Sequence, residues 1–156
     1  MKKLSLILIL LIPLFFSSCE KDDGPYVKIK SIENLIYQAI RDFRIAEGET
    51  SAFVHQYFIV GEAQVYSYKM ANGVEDVDTG GLDEHWDNLL EKYNFYNLNA
   101  LVLKTTSNDA DEILNELLQL DSGEATLLED LTQCGVGVEA DSAYNYITVL
   151  LARADS

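Results

Sequence analysis

The chain opens with Met1-Lys2-Lys3, runs almost unbroken through apolar residues from Leu4 to Phe16, and reaches Ser17-Ser18-Cys19. A positive start, an apolar stretch and a small-residue ending form the layout of a removable export signal. The run is about 13 residues long, short of the roughly 20 that a helix needs to cross a bilayer core. Cleavage before Cys19 takes 18 residues out of the folding problem and leaves 138. That is enough for one domain with its own core. Only one further cysteine, Cys134, remains in the chain. The fold must therefore be held by apolar packing, without a disulfide scaffold.

Phe16-Ser17-Ser18-Cys19 resembles the bacterial lipobox. The resemblance implies that Cys19 receives a diacylglycerol on sulfur, becomes the first residue of the mature chain and is then acylated on nitrogen, with palmitate-type chains. Such a lipoprotein holds the membrane far better than a single acyl chain does. Glu20-Lys21-Asp22-Asp23 follows, and Gly24-Pro25 breaks any regular structure. Residues 19–30 therefore read as a lipidated acidic tether. The acidic cluster also resembles the export signal of surface-displayed lipoproteins in some Gram-negative bacteria, which implies outer-membrane attachment and cell-surface exposure. Cys134, with Cys19 used by lipid, has no partner for a disulfide. It lies in Leu131-Thr132-Gln133-Cys134-Gly135-Val136, which reads as a buried strand, so it is expected as a small core residue and not a nucleophile.

The full chain has a formal charge of −15, and removing the signal, which holds two lysines and no acid, makes it −17. A nucleic-acid partner is excluded, because phosphate binding needs clustered Lys and Arg. Attraction to an anionic membrane surface, apart from the lipid itself, is disfavoured on the same ground. Solubility at a crowded surface accounts for the charge.

From Ser31 the pattern turns helical: Ile32, Leu35, Ile36, Ala39, Ile40 and Phe43 follow the spacing of one buried face. Ser31 is the expected N-cap, with Glu33 near the positive helix end, and Gly48 the expected stop. A second helix is expected from about His55 to Asn72, with Ile59, Ala63, Tyr66 and Met70 inward. Gly61 inside it carries a penalty of about 1 kcal/mol. Residues 73–84 read as an acidic loop, and a short helix covers Glu84 to Tyr93. Asn99 to Lys104 reads as a strand, and Asp109 to Leu120 as a helix capped by Ser107 and Asn108. Gly135-Val136-Gly137-Val138 begins a strand, Asp141-Ser142-Ala143 turns the chain, and Tyr144 to Ala152 returns. Helices first, then helix and strands mixed, give an α+β or layered sandwich class.

Three segments, in order, resemble the CAP family (cysteine-rich secretory, antigen 5 and pathogenesis-related-1 proteins, also called SCP-like) in its bacterial form. Leu35-Ile36 leading to Arg44 and Gly48 is similar to the family's first helix and its Arg-x-x-x-Gly ending. Ala63 through Ser67, with Met70, Ala71 and Gly73, is similar to the second helix. Gly135-Val136-Gly137-Val138, the turn at Asp141-Ser142 and Tyr144-Asn145-Tyr146-Ile147-Thr148 are similar to the closing strand and hairpin. The resemblance spans roughly residues 31–153 and implies a three-layer α–β–α sandwich occupying residues 31–156.

The family's cavity holds two histidines and two glutamates, sometimes with a divalent metal, a ligand set that suits such an ion. Here the resemblance places His85 or Asp83 at the first histidine and Asn99 at the first glutamate. Ser122-Gly123-Glu124 stands where the second histidine belongs. Tyr66 falls where the family often has histidine, and Glu62 lies nearby without a defined place. His85, Asn99 and Glu124 are thus the remnants of the cavity, and one imidazole falls short of the three protein ligands usual for catalytic zinc. The plain reading of His85 is an exposed loop histidine. His55 has no partner motif.

Asp76-x-Asp78-x-Gly80-Gly81, with Asp87 beyond, is faintly similar to a calcium loop, but glycine replaces an oxygen ligand and the last carboxylate is too short. A nucleophile–histidine–acid set has no defensible members. Tyr93, Phe95, Tyr96, Tyr144 and Tyr146 are core or strand-face aromatics, or a surface for a glycan or protein partner. The expectation is a lipid-anchored extracytoplasmic CAP-like domain that binds and does not catalyse, with no cofactor or metal. The alternatives are a hydrolase or metal-dependent enzyme with a cavity rearranged around His85 and Glu124, and a lipid or sterol carrier.

Overall fold

The computed structural model describes residues 28–49 and 52–154. The signal segment, Cys19 and the expected tether up to residue 27 lie outside them. Nine elements follow: helix α1 (Ser31–Ala46), strand β1 (Val54–His55), α2 (Tyr57–Ala71), α3 (Asp83–Tyr93), β2 (Phe95–Thr105), α4 (Ala110–Leu118), α5 (Gly123–Leu127), β3 (Gln133–Ala140) and β4 (Asn145–Ala154).

The sheet runs β1-β3-β4-β2, with β1 parallel to β3 and the other pairs antiparallel. Every residue of β3 from Cys134 to Val138 and of β4 from Tyr146 to Ala152 is buried. Continuous burial of that kind belongs to strands covered on both faces. On one face Cys134, Val136, Val138, Ile147, Val149 and Leu151 meet α1, α4 and α5 through Ile36, Ile40, Ile113, Leu117 and Leu127. On the other, Tyr146, Leu150 and Ala152 meet α2 and α3 through Ile59, Ala63, Tyr66, Met70 and Leu89. The architecture is the expected α+β, three-layer α–β–α sandwich.

The Gly-Val-Gly-Val stretch explains how closely α2 lies on the sheet. A Cβ on Gly135 would sit 2.3 Å from the Ile59 carbonyl carbon, and one on Gly137 would sit 2.2 Å from that of Ala63. The helix backbone therefore rests on β3 itself. Ser67 completes the seam, with its hydroxyl 3.0 Å from the Gly137 carbonyl oxygen and 2.8 Å from the Thr148 hydroxyl.

The ends of α1 are fixed by buried charge. Lys30, not Ser31, is its N-cap. Glu33 is fully buried and accepts from the Lys30 backbone N–H (2.7 Å), Gln64 Nε2 (2.7 Å) and the Val138 N–H (3.0 Å). One carboxylate so ties α1 to α2 and β3. At the other end Arg44, also buried, donates to the carbonyls of Leu127, Glu129 (2.9 Å) and Leu131 (3.2 Å), and its guanidinium lies 4.5 Å from the Phe53 ring centre. Of the expected apolar stripe, Leu35 faces outward, because Glu33, Ile36, Ile40 and Arg44 take the inward positions.

Several boundaries differ from expectation. Asp109, not Ser107 or Asn108, caps α4, accepting from the N–H groups of Asp111 and Glu112 at 3.0 Å. β2 begins at Phe95, with a register shift between Tyr96 and Asn99 where Asn97 takes φ +49°. α5 had no periodic signal at five residues. The chain joins the domain before Ser31: the Lys28 carbonyl accepts from Gln64, and Lys30 Nζ reaches the Val138 carbonyl and Glu139.

Candidate functional site

His85 sits in the first turn of α3, and its side chain is buried, 2% exposed, in place of the expected exposed loop histidine. The reason is α2. Glu62, on the flank of that helix, accepts from His85 Nδ1 at 2.7 Å, and Asn88 reaches the same carboxylate oxygen at 3.4 Å. The Tyr66 ring meets the imidazole edge-on, centroids 5.5 Å apart. Lys69 Nζ lies 3.4 Å from His85 Nε2 and 3.3 Å from Glu84.

An ammonium donates and cannot accept, so the neutral tautomer that satisfies both contacts carries its proton on Nδ1, toward Glu62, and turns its Nε2 lone pair to Lys69. The Lys69 contact, at 3.4 Å, is at the long end of hydrogen-bond range. Tyr66, spent on the Asp78 carbonyl at 2.8 Å, has its phenol pushed up first by burial and further by Glu75, Asp78 and Asp76.

The other residues expected at the cavity lie elsewhere. Side chains alternate along β2, and Asn99 shares a face with Leu101 and Leu103, toward α1, α4 and α5. There it donates to Glu129 at 2.7 Å. Glu124 is on α5, in that same layer, at an open groove of about 390 Å³ lined by Leu118, Leu120, Ser122, Gly123 and Leu128. The sheet separates both from His85. Asp83 is the exposed first residue of α3, two positions before His85. The structure thus brings His85 and Glu62 together and leaves Asn99 and Glu124 apart, so a cavity shared by His85 and Glu124 does not form.

Glu62 and Lys69 escaped assignment in the sequence. One signal was there: Glu62 is the only acid of α2, a helix rich in apolar residues, and a carboxylate on its half-buried flank needs a partner. Asp78 of the calcium-like loop accepts from the Gly80 N–H at 2.7 Å, an Asx turn, and among the described residues no three His, Cys, Asp or Glu side chains are placed to hold an ion.

The aromatic residues divide into two groups. Tyr93 stacks on Phe58 (4.2 Å) and leans on Phe95, whereas Tyr144 and Tyr146 flank Lys104. Phe95 pairs with Ala154 and Thr105 with Asn145, so the groups occupy opposite ends of the β2–β4 ladder and form no common platform. Tyr146 is buried and donates to Asp141. Cys134 is wholly buried, and desolvation drives its thiol far above the ordinary range, which makes it inert. His55 stacks on Tyr37 at 4.4 Å, and neither ring nitrogen has a partner among the described residues.

No protein-family model matches the sequence, and no curated protein matches it. Solved structures do. An outer surface protein of Borrelia burgdorferi aligns with a TM-score of 0.68 at 14% identity, over 83% of this chain and 97% of that one. A cysteine-rich secretory protein of Staphylococcus aureus aligns at 0.62 and 15%, and an extracellular protein containing an SCP domain from Bacillus anthracis at 0.59 and 18%, each over 78% of this chain. The fold is CAP-like. This chain spans 38% and 40% of the two SCP-type proteins, so the CAP-like unit is one part of each.

Proposed function

We propose that the mature chain is held in the outer membrane by acyl chains on Cys19 and presents a CAP-like domain that works by binding a protein or glycan at the cell envelope, not by catalysis. The observation that carries the non-catalytic half is the isolation of His85: buried, paired with Glu62 and faced at Nε2 by Lys69, with Asn99 and Glu124 across the sheet. The likeness to surface and extracellular proteins supports the compartment. The anchor rests on the Phe16-Ser17-Ser18-Cys19 resemblance.

A second reading has one specific observation in its favour. A histidine 2.7 Å from a carboxylate is the base-and-orienter arrangement of hydrolases. Assay of the purified chain on peptide and ester substrates separates the two. The binding reading expects no turnover in the wild type or in Lys69→Ala, which would free Nε2. Turnover that disappears in His85→Ala would contradict it.

A further inference from the structure

A helix that covers a sheet normally has one apolar stripe, but α2 has two. Its inward side is buried. On its outward side Tyr57, Val65 and Tyr68 are 60%, 48% and 58% exposed, and Phe58 beside them is 50% exposed. Positions 57, 61, 65 and 68 form one line along the helix, and Gly61 keeps that line flat. Along α2 itself the face carries no acid, in a chain of net −15: Glu62 is turned to His85, and the exposed acids of the same layer, Asp83, Glu84, Asp87 and Glu91, stand on α3.

The described chain begins against this same helix. The Lys28 carbonyl accepts from Gln64 Nε2 at 3.2 Å, and Gln64 adjoins Val65. Cys19 lies nine residues before Lys28. At about 3.4 Å per extended residue those residues span at most roughly 30 Å. A lipid on Cys19 would keep Lys28, and Gln64 in the middle of α2 beside it, within that distance of the bilayer.

We infer that the outward face of α2, formed by Tyr57, Phe58, Val65 and Tyr68, docks on the phospholipid interface in which Cys19 is anchored. This rests on the lipid-anchor reading above. Aromatic rings with one polar end suit the headgroup level of a bilayer. A patch of four residues is too small to hold a membrane alone, but a short tether makes its binding intramolecular. The acids of the α4 first turn, Asp111 and Glu112, lie in the opposite layer and turn to water. Docking so oriented points the α4–α5 layer, with its groove, away from the membrane.

The test uses the full lipidated chain in phosphatidylcholine vesicles. An environment-sensitive dye is placed at Val65→Cys and, as control, at Asn115→Cys on the exposed side of α4; buried Cys134 does not compete. The expected result is a blue-shifted Val65 dye, quenched by brominated lipid and shielded from iodide, with the reverse at Asn115. The combined Tyr57→Ser and Tyr68→Ser change should abolish lipid quenching while the chain stays in the vesicle pellet. A pelleted chain whose Val65 dye meets iodide and not lipid would overturn the docking alone. Shielding from both quenchers would show a protein on the face and overturn it too. A chain found in the aqueous fraction would sink the anchor, and the docking with it.

Discussion

Arg44 and Glu33 are buried charges, and each holds together segments far apart in the chain. Arg44 satisfies three carbonyls in the segment between α5 and β3, and Glu33 joins three elements through one carboxylate. Removing the guanidinium leaves buried carbonyls without a donor, and an unsatisfied buried acceptor costs about 1–3 kcal/mol. Arg44→Leu should therefore lower unfolding stability by at least about that amount. Urea denaturation measures it, and a loss under about 1 kcal/mol would mean that water replaces the guanidinium. His55 offers a second prediction. Burial against Tyr37 lowers its pKa to about 4, below the ordinary value near 6.5. The unfolded state then binds the proton first, so stability is full above about pH 6.5 and declines as pH falls toward 4. His55→Phe, which keeps the stacking, should flatten that part of the pH–stability profile; an unchanged slope would assign it to other groups.

At the scale of elements, the seam between α2 and β3 controls the fold. Gly137→Ala would drive a methyl into the Ala63 backbone, which cannot move like a side-chain tip. Overpacking of this kind costs about 1–3 kcal/mol. A fall in thermal midpoint should follow, and none should follow Ala substitution at exposed Gly61-adjacent Val65. Much of this level was legible from the sequence. The α2 stripe of Ile59, Ala63, Tyr66 and Met70 is buried as its spacing predicts. The α1 stripe holds at Ile36 and Ile40 and fails at Leu35, since periodicity scores Leu35 as core and cannot know that Glu33 and Arg44 have partners over 80 residues away. β2 was read short because Asn94 and Asn97, both at positive φ, look like loop residues. The His85 site was half legible: the histidine was singled out, but Glu62 and Lys69 meet it only through the α2–α3 packing.

For the whole molecule, the CAP-like frame is shared with surface and secreted proteins, while the polar residues expected of its cavity are dispersed over both faces of the sheet. On the proposed reading the domain acts through its surface, which acyl chains on Cys19 would hold at the membrane. Intact mass spectrometry of the protein extracted from its native membrane tests this most directly. A chain starting at Cys19 with the added mass of three acyl groups is predicted. A chain that retains the segment before Cys19, or starts at another residue without acyl mass, would contradict the account.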